Sequence, residues 1–214
     1  MYVLMAACLG TGACKKITTD DATTRTVTPS FPGLTLKGEQ IVSTGVGTGT
    51  FTDPGAVGYD SIAKTSVELQ PIANTVDLTK PGFYSVQYEA KNVYGYRSNS
   101  SRLVLVTSVS ASDDISGVYT RTNGQKVTLT KRGTGLYSID NIGGVPNAPE
   151  YLFPIYVGIP TETTLDVPPQ PNPLGGDVFV TGGTLTRTAT SITFSYIVRG
   201  SGFGTATRTF VKQL

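Results

Sequence analysis

Histidine and tryptophan are absent from these 214 residues, and cysteine occurs only at Cys8 and Cys14. Without an imidazole there can be no Ser-His-Asp or Cys-His nucleophile and no His-ligated zinc. A pair of carboxylates in a cleft could still hydrolyse a glycoside, and Asp113, Asp114, Asp140 and Glu150 are the candidates. The same oxygens could hold calcium, but no EF-hand-like spacing frames them. Gly200-x-Gly202-x-Gly204 follows a strand pattern and opens no helix, and no Gly-x-x-x-x-Gly-Lys loop occurs, so a phosphate cradle is not indicated. These absences point away from an enzyme and toward a binding protein without a cofactor.

The residues best suited to binding are aromatic. Tyr151, Phe153 and Tyr156 lie at the centre of a proline-dense segment, Asn141 to Gly176. A long irregular segment inside a compact domain is usually functional or disordered. One reading is an aromatic platform at a domain rim, where sugar rings stack their C–H faces. The other makes Tyr151–Val157 a strand with its aromatics in the core, and the alternation fits that strand better. Tyr94 and Tyr96 could also touch a ligand, although aromatics in a turn more often pack.

The elements that would position these residues are strands. Charged residues make up only 15% of the chain, with Gly 25 and Pro 13, and no amphipathic helical run occurs after the first dozen residues. Tyr84, Val86, Tyr88 and Ala90 alternate with Ser85, Gln87 and Glu89, which predicts a half-buried strand over Phe83–Ala90. Lys80-Pro81-Gly82 is a turn before it, and Arg102–Val106 is a second, apolar strand. Shorter strands are expected at Leu34–Leu36, Glu39–Val42 and Ser66–Leu69, with a turn at Asp53-Pro54-Gly55. After a polar linker, Val109–Ile115, a hairpin turns at Asn123-Gly124 and another at Gly182-Gly183. Ile192, Phe194, Tyr196 and Val198 line one face of a long strand, and Arg208–Lys212 closes the chain. The fold class is all-β: a sandwich over 30–107 and an antiparallel meander over 108–214, forming a small barrel or a second sandwich.

Charge narrows the partners. The net charge is +2, and the densest basic clusters are the pairs Lys15-Lys16 and Lys131-Arg132. Nucleic-acid binding needs a larger basic stripe, so no nucleic-acid partner is expected.

The amino terminus reads as an address. Met1 to Ala13 is apolar with small residues near its end, and it is shorter than the roughly 20 residues of a membrane-spanning helix. It has the character of a signal peptide. Thr11-Gly12-Ala13-Cys14 resembles the lipobox of bacterial lipoproteins, with Thr11 where that family usually has Leu. The resemblance implies cleavage before Cys14 and a lipid on its sulfur, which would anchor residues 15–29 as a flexible tether. The other reading of this stretch is a buried strand with two free cysteines.

A second resemblance rests on Phe51-Thr52-Asp53-Pro54-Gly55-Ala56, Pro81-Gly82-Phe83-Tyr84, Val86-x-Tyr88-x-Ala90-x-Asn92 and Arg102-Leu103-Val104-Leu105-Val106. Together these resemble bacterial Ig-like domains, which usually act as spacers. The resemblance puts Val86 where such folds carry a disulfide cysteine and makes Tyr84 a tyrosine corner. With the Asp-Ile-Ser-Gly-Val-Tyr opening of the second domain, the whole arrangement resembles two-domain surface lipoproteins of Bacteroidetes-type bacteria. That implies an outer-membrane lipoprotein, at the cell surface or on the periplasmic face, binding a glycan through Tyr151, Phe153 and Tyr156. The alternative is a structural or assembly component that contacts outer-membrane proteins.

Overall fold

The computed structural model describes residues 29–146, 149–200 and 202–214, and within them Phe31–Leu214 form one compact unit. The signal, Cys8, Cys14 and the tether through residue 28 lie outside the described residues. Among those described there is no α-helix, only a single 3-10 turn at Pro149–Tyr151.

The first part is a two-layer sandwich. One layer orders β1 (Gly33–Leu36), β3 (Ala56–Asp60) and β4 (Thr65–Leu69). The other orders β2 (Ile41–Gly45), β7 (Arg97–Thr107), β6 (Gly82–Lys91) and β5 (Ala73–Asn74), with β2 parallel to β7. The predicted alternation holds: Val86, Tyr88 and Ala90 are buried, and Val86 and Tyr88 pack with Ala56 and Val104 between the layers. The Tyr84 hydroxyl donates to the Lys80 carbonyl at 3.0 Å, so the tyrosine corner is present. Val86 fills the disulfide position as a fully buried aliphatic.

Arg102, at the head of the strand expected to be apolar, is completely buried. Its Nε donates to Asp53 Oδ2 at 2.9 Å, and its terminal nitrogens donate to the carbonyls of Lys37, Gly55 and Glu39. Asp53 Oδ1 in turn accepts from Tyr88 Oη at 2.5 Å and from Gly55 N at 2.7 Å. Burial, then the bond to Asp53, pushes the Tyr88 phenol up to about 12. Every charge in this network has a partner, as burial demands.

The second part is a closed barrel. Its strands are β8 (Gly117–Arg121), β9 (Lys126–Gly133), β10 (Leu136–Ile139), β11 (Ile155–Thr161), β12 (Thr164–Asp166), β14 (Asp177–Arg187), β15 (Ser191–Arg199) and β16 (Thr207–Gln213). Each pairs antiparallel with the next, and β16 returns to β8; β13 (Gln170–Pro171) adds to the start of β14. Closure comes from Thr164 pairing with Thr184 and from Leu185 N donating to Thr163 O at 2.8 Å. The interior is solid. Tyr119, Tyr137, Phe194, Tyr196 and Phe210 fill it with aliphatic neighbours, giving a packed core among the described residues.

Three expectations change. Gly182-Gly183 is no hairpin turn; it is a bulge within β14, with the register shifting between Thr181 and Thr184. A Cβ on Gly183 would lie 1.9 Å from the Leu165 carbonyl oxygen, so glycine lets β12 reach β14. The segment Asn141–Gly176 is not one irregular loop, because it supplies β11, β12 and β13. Its Pro160 falls at a register shift between Gly158 and Thr161, where a missing N–H is tolerated. Val109–Ile115 is also more than a linker. Val109 and Ile115 are buried in the barrel core, and Lys131 Nζ donates to the carbonyls of Ala111 and Asp113.

Sandwich and barrel are joined by a packed seam. Ile41, Leu105 and Leu136 are buried together, with Phe83, Leu103 and Tyr156 against them. Thr107 Oγ1 donates to Ile159 O at 2.6 Å, and Ser108 N donates to Pro160 O at 2.9 Å. A Cβ on Gly158 would come within 2.5 Å of the Phe83 ring, so the barrel wall can approach only as bare backbone.

Candidate functional site

Strand parity decides where the three candidate aromatics go. On β11, Ile155 and Val157 point into the barrel and Tyr156 points out. Phe153 shares the inward parity and is buried in the barrel core. Tyr151 ends the 3-10 turn and packs edge-on against Phe203, ring centroids 5.2 Å apart at 76°. Tyr151 and Phe153 therefore share the barrel cluster, and Tyr156 belongs to the seam with the sandwich.

Tyr156 stands in a cleft of about 360 Å³ where the barrel meets the sandwich at β2 and β7. Gln40, Ile41, Ser101 and Leu103 form the sandwich side. Pro154, Pro169, Pro171 and Asp177 form the barrel side, three prolines whose fixed φ stiffens the wall. Gln170 holds the tyrosine's main chain in place. Its Oε1 accepts from Tyr156 N at 2.9 Å and its Nε2 donates to Tyr156 O at 2.8 Å, so the side chain acts as a piece of strand. The cleft thus offers an aromatic ring, apolar flanks, and the polar groups of Gln40, Ser101 and Asp177 around them, the usual make-up of a ligand site.

Three of the carboxylates singled out for chemistry have other partners. Asp113 pairs with Arg187 at 2.5 Å, Asp114 accepts from Ser116 N, and Asp140 accepts from Thr128 N. The Ser116 amide, acting against a smaller desolvation, holds the Asp114 carboxyl below the usual range. Glu150 lies exposed on the 3-10 turn. Each of the first three is tied to local backbone or to a cation rather than to a second acid.

A further concavity, about 300 Å³, lies at the β6–β7 turn end of the sandwich, with Tyr59, Asp60, Val67 and Val93 in its lining. Its carboxylate is already engaged, accepting from the amides of Ile62, Ala63 and Val93. Burial opposes the charge on Asp60, but the three amides together hold its pKa below the ordinary value. Tyr94 at this end is exposed, and Tyr96 packs against Phe31 with centroids 5.4 Å apart.

What sequence reasoning missed is the sandwich side of the cleft. Gln40, Ser101 and Leu103 carry no motif; only the alternation of β7 marks Ser101 and Leu103 as sharing the face opposite Arg102.

Among known proteins, no curated sequence matches the chain. Two solved structures are similar across most of it. One is a lipoprotein from Bacteroides thetaiotaomicron at 18% identity and TM-score 0.39, covering 86% of this chain and 100% of that one. The other contains CBM51-2 in complex with GlcNAc and INT domains of Clostridium perfringens ZmpB, at 15% identity and TM-score 0.30, covering 85% of this chain and 41% of that one. Residues 34–106, from the second residue of β1 to the next-to-last of β7, match the model of a family described as bacterial surface protein, Ig-like domain.

Proposed function

We propose that this chain is a non-catalytic lipoprotein of the bacterial cell envelope that binds a glycan in the cleft between its Ig-like domain and its barrel. The observation that carries the reading is the placement of Tyr156, its main chain held by Gln170, in a proline-walled cleft beside the polar groups of Gln40, Ser101 and Asp177. An aromatic face suits the C–H side of a sugar, while amide and hydroxyl groups suit its O–H groups. A filled barrel directs attention to this outer cleft, since nothing can enter the core. Lipidation at Cys14 would set the protein on the outer membrane, with the Ig-like domain as both spacer and one wall of the site.

The test is a glycan array with the Cys14→Ser chain and its Tyr156→Ala and Tyr151→Ala derivatives. Binding that Tyr156→Ala weakens at least tenfold, with Tyr151→Ala close to the parent, is the expected pattern. A blank array, or binding indifferent to Tyr156, sinks the reading.

A second reading follows from β4, which among the described residues pairs with β3 alone, with Val67 60% exposed. Such an edge can accept a strand from a partner protein. In that case Val67→Lys would abolish capture of an outer-membrane partner in pull-downs from intact envelopes, and glycans would not compete.

A further inference from the structure

The cleft around Tyr156 does not end at Ser101. The outer face of the β6–β7 pair can be read pair by pair along its register. Phe83 opposite Leu105 lies under the barrel, and Ser85 opposite Leu103 marks the edge of the seam. Next come Gln87 opposite Ser101 and Glu89 opposite Asn99, of which Ser101 also lines the Tyr156 cleft. These two pairs, with Ile72 at the side, line a second open depression of about 450 Å³ that shares Ser101 with the cleft. The two concavities therefore adjoin at Ser101. From Leu103 to Asn99 the strand adds about 13 Å to its length at the usual rise per residue.

The chemistry of this extension is uniform. Gln87 and Asn99 present amides and Ser101 a hydroxyl, groups that both donate and accept. Its one acid is neutralised, because Arg97 pairs with Glu89 at 2.7 Å. The floor is a strand face whose backbone groups are already engaged in the sheet, so an added peptide strand would find no main-chain partners there. A neutral, polyhydroxylated chain fits both the length and the polarity.

We infer that the site binds a linear, uncharged oligosaccharide lying across the domain junction, one end stacked on Tyr156 and the other resting on Gln87, Asn99 and Ser101. This rests on the glycan reading above and gives it a length and a direction. One consequence is that affinity depends on the number of sugar units, because a monosaccharide reaches Tyr156 alone.

The experiment is calorimetric titration of the Cys14→Ser chain with malto-, cello-, manno- and xylo-oligosaccharides from one unit to six. The same series is then run on Tyr156→Ala and on the double variant Gln87→Ala/Asn99→Ala, whose side chains are exposed and whose folding is checked by thermal melting. For the series that binds, affinity is expected to climb with length over the first several units. Tyr156→Ala should weaken every length at least tenfold, and the double variant should weaken the hexamer about tenfold while leaving the shortest binding oligomer unchanged. Length-independent binding, or a double variant that binds the hexamer normally, overturns the extended groove and leaves the Tyr156 cleft standing. A parent protein that binds none of the four series overturns both.

Discussion

Arg102 shows how much of the sandwich hangs on one side chain. Its guanidinium donates to Asp53 and to three carbonyls of the segments preceding β2 and β3, drawing both onto β7. Replacing it with Met would keep the volume roughly constant while leaving Asp53 charged, buried and without its cation, and the carbonyls without donors. Removing one partner of such a pair costs about 3–5 kcal/mol, so Arg102→Met should lower the denaturation midpoint of the chain strongly. Arg102→Lys should recover only a small part, since an ammonium cannot span the same four acceptors. Urea titration of both variants checks this, and two midpoints within error of the parent would refute it. Nothing local in the sequence announces the network. Asp53 reads as a turn residue and Arg102 as the start of an apolar strand, and the pairing spans 49 residues of chain. Tyr84 was legible through the resemblance to Ig-like domains, which makes it a tyrosine corner, and its partner Lys80 lies four residues away.

At the scale of elements, period-2 patterns carried over well: β6 and β15 fall where alternation puts them, β7 contains the expected apolar strand Arg102–Val106 but begins at Arg97, and the Asn123-Gly124 turn joins β8 to β9. The failures share a cause. Gly182-Gly183 has a hairpin's composition, but the alternation on its two sides belongs to one strand, and the glycines serve a contact with Leu165 that lies far back in sequence. The prolines of 141–176 likewise read as loop, although Pro160 sits within β11 at a bulge where no ladder donor is needed. Gly183→Ala is therefore a sharp test of closure. The added methyl would sit 1.9 Å from a backbone oxygen that no rotamer change can move, so β12 must swing away from β14. Overpacking of this kind costs about 1–3 kcal/mol or more. Hydrogen exchange should show Leu185 losing amide protection while Phe194 in β15 keeps its own. Unchanged protection at Leu185 would mean that β12–β14 pairing is not what seals the barrel.

For the molecule as a whole, the question is whether sandwich and barrel behave as one body. A two-domain division with a polar linker is the natural sequence reading, because the seam is made of residues that each look like ordinary strand positions. Ile41, Leu105 and Leu136 come from three separate strands, and only the fold brings their side chains together. Burying an aliphatic side chain is worth about 1.5–3 kcal/mol, so these three couple the halves by several kcal/mol, before the bonds from Thr107 and Ser108 are added. Coupling of that size exceeds what separate melting of two small domains would tolerate, and the parent chain should unfold in a single calorimetric transition. Gly158 is the point at which to break it. A Val there would drive two methyl groups into the Phe83 ring, since even a Cβ falls 2.5 Å from it. The barrel core lies on the other side of that wall and is not otherwise touched. Gly158→Val should therefore split the melt into two transitions, with the smaller sandwich unfolding first. On the proposed function, the same variant should also lose glycan binding even though Tyr156 is intact, because the cleft needs both walls held together. A single transition retained in Gly158→Val would show that the sandwich depends on the barrel through the chain connection at Thr107–Val109 rather than through the seam.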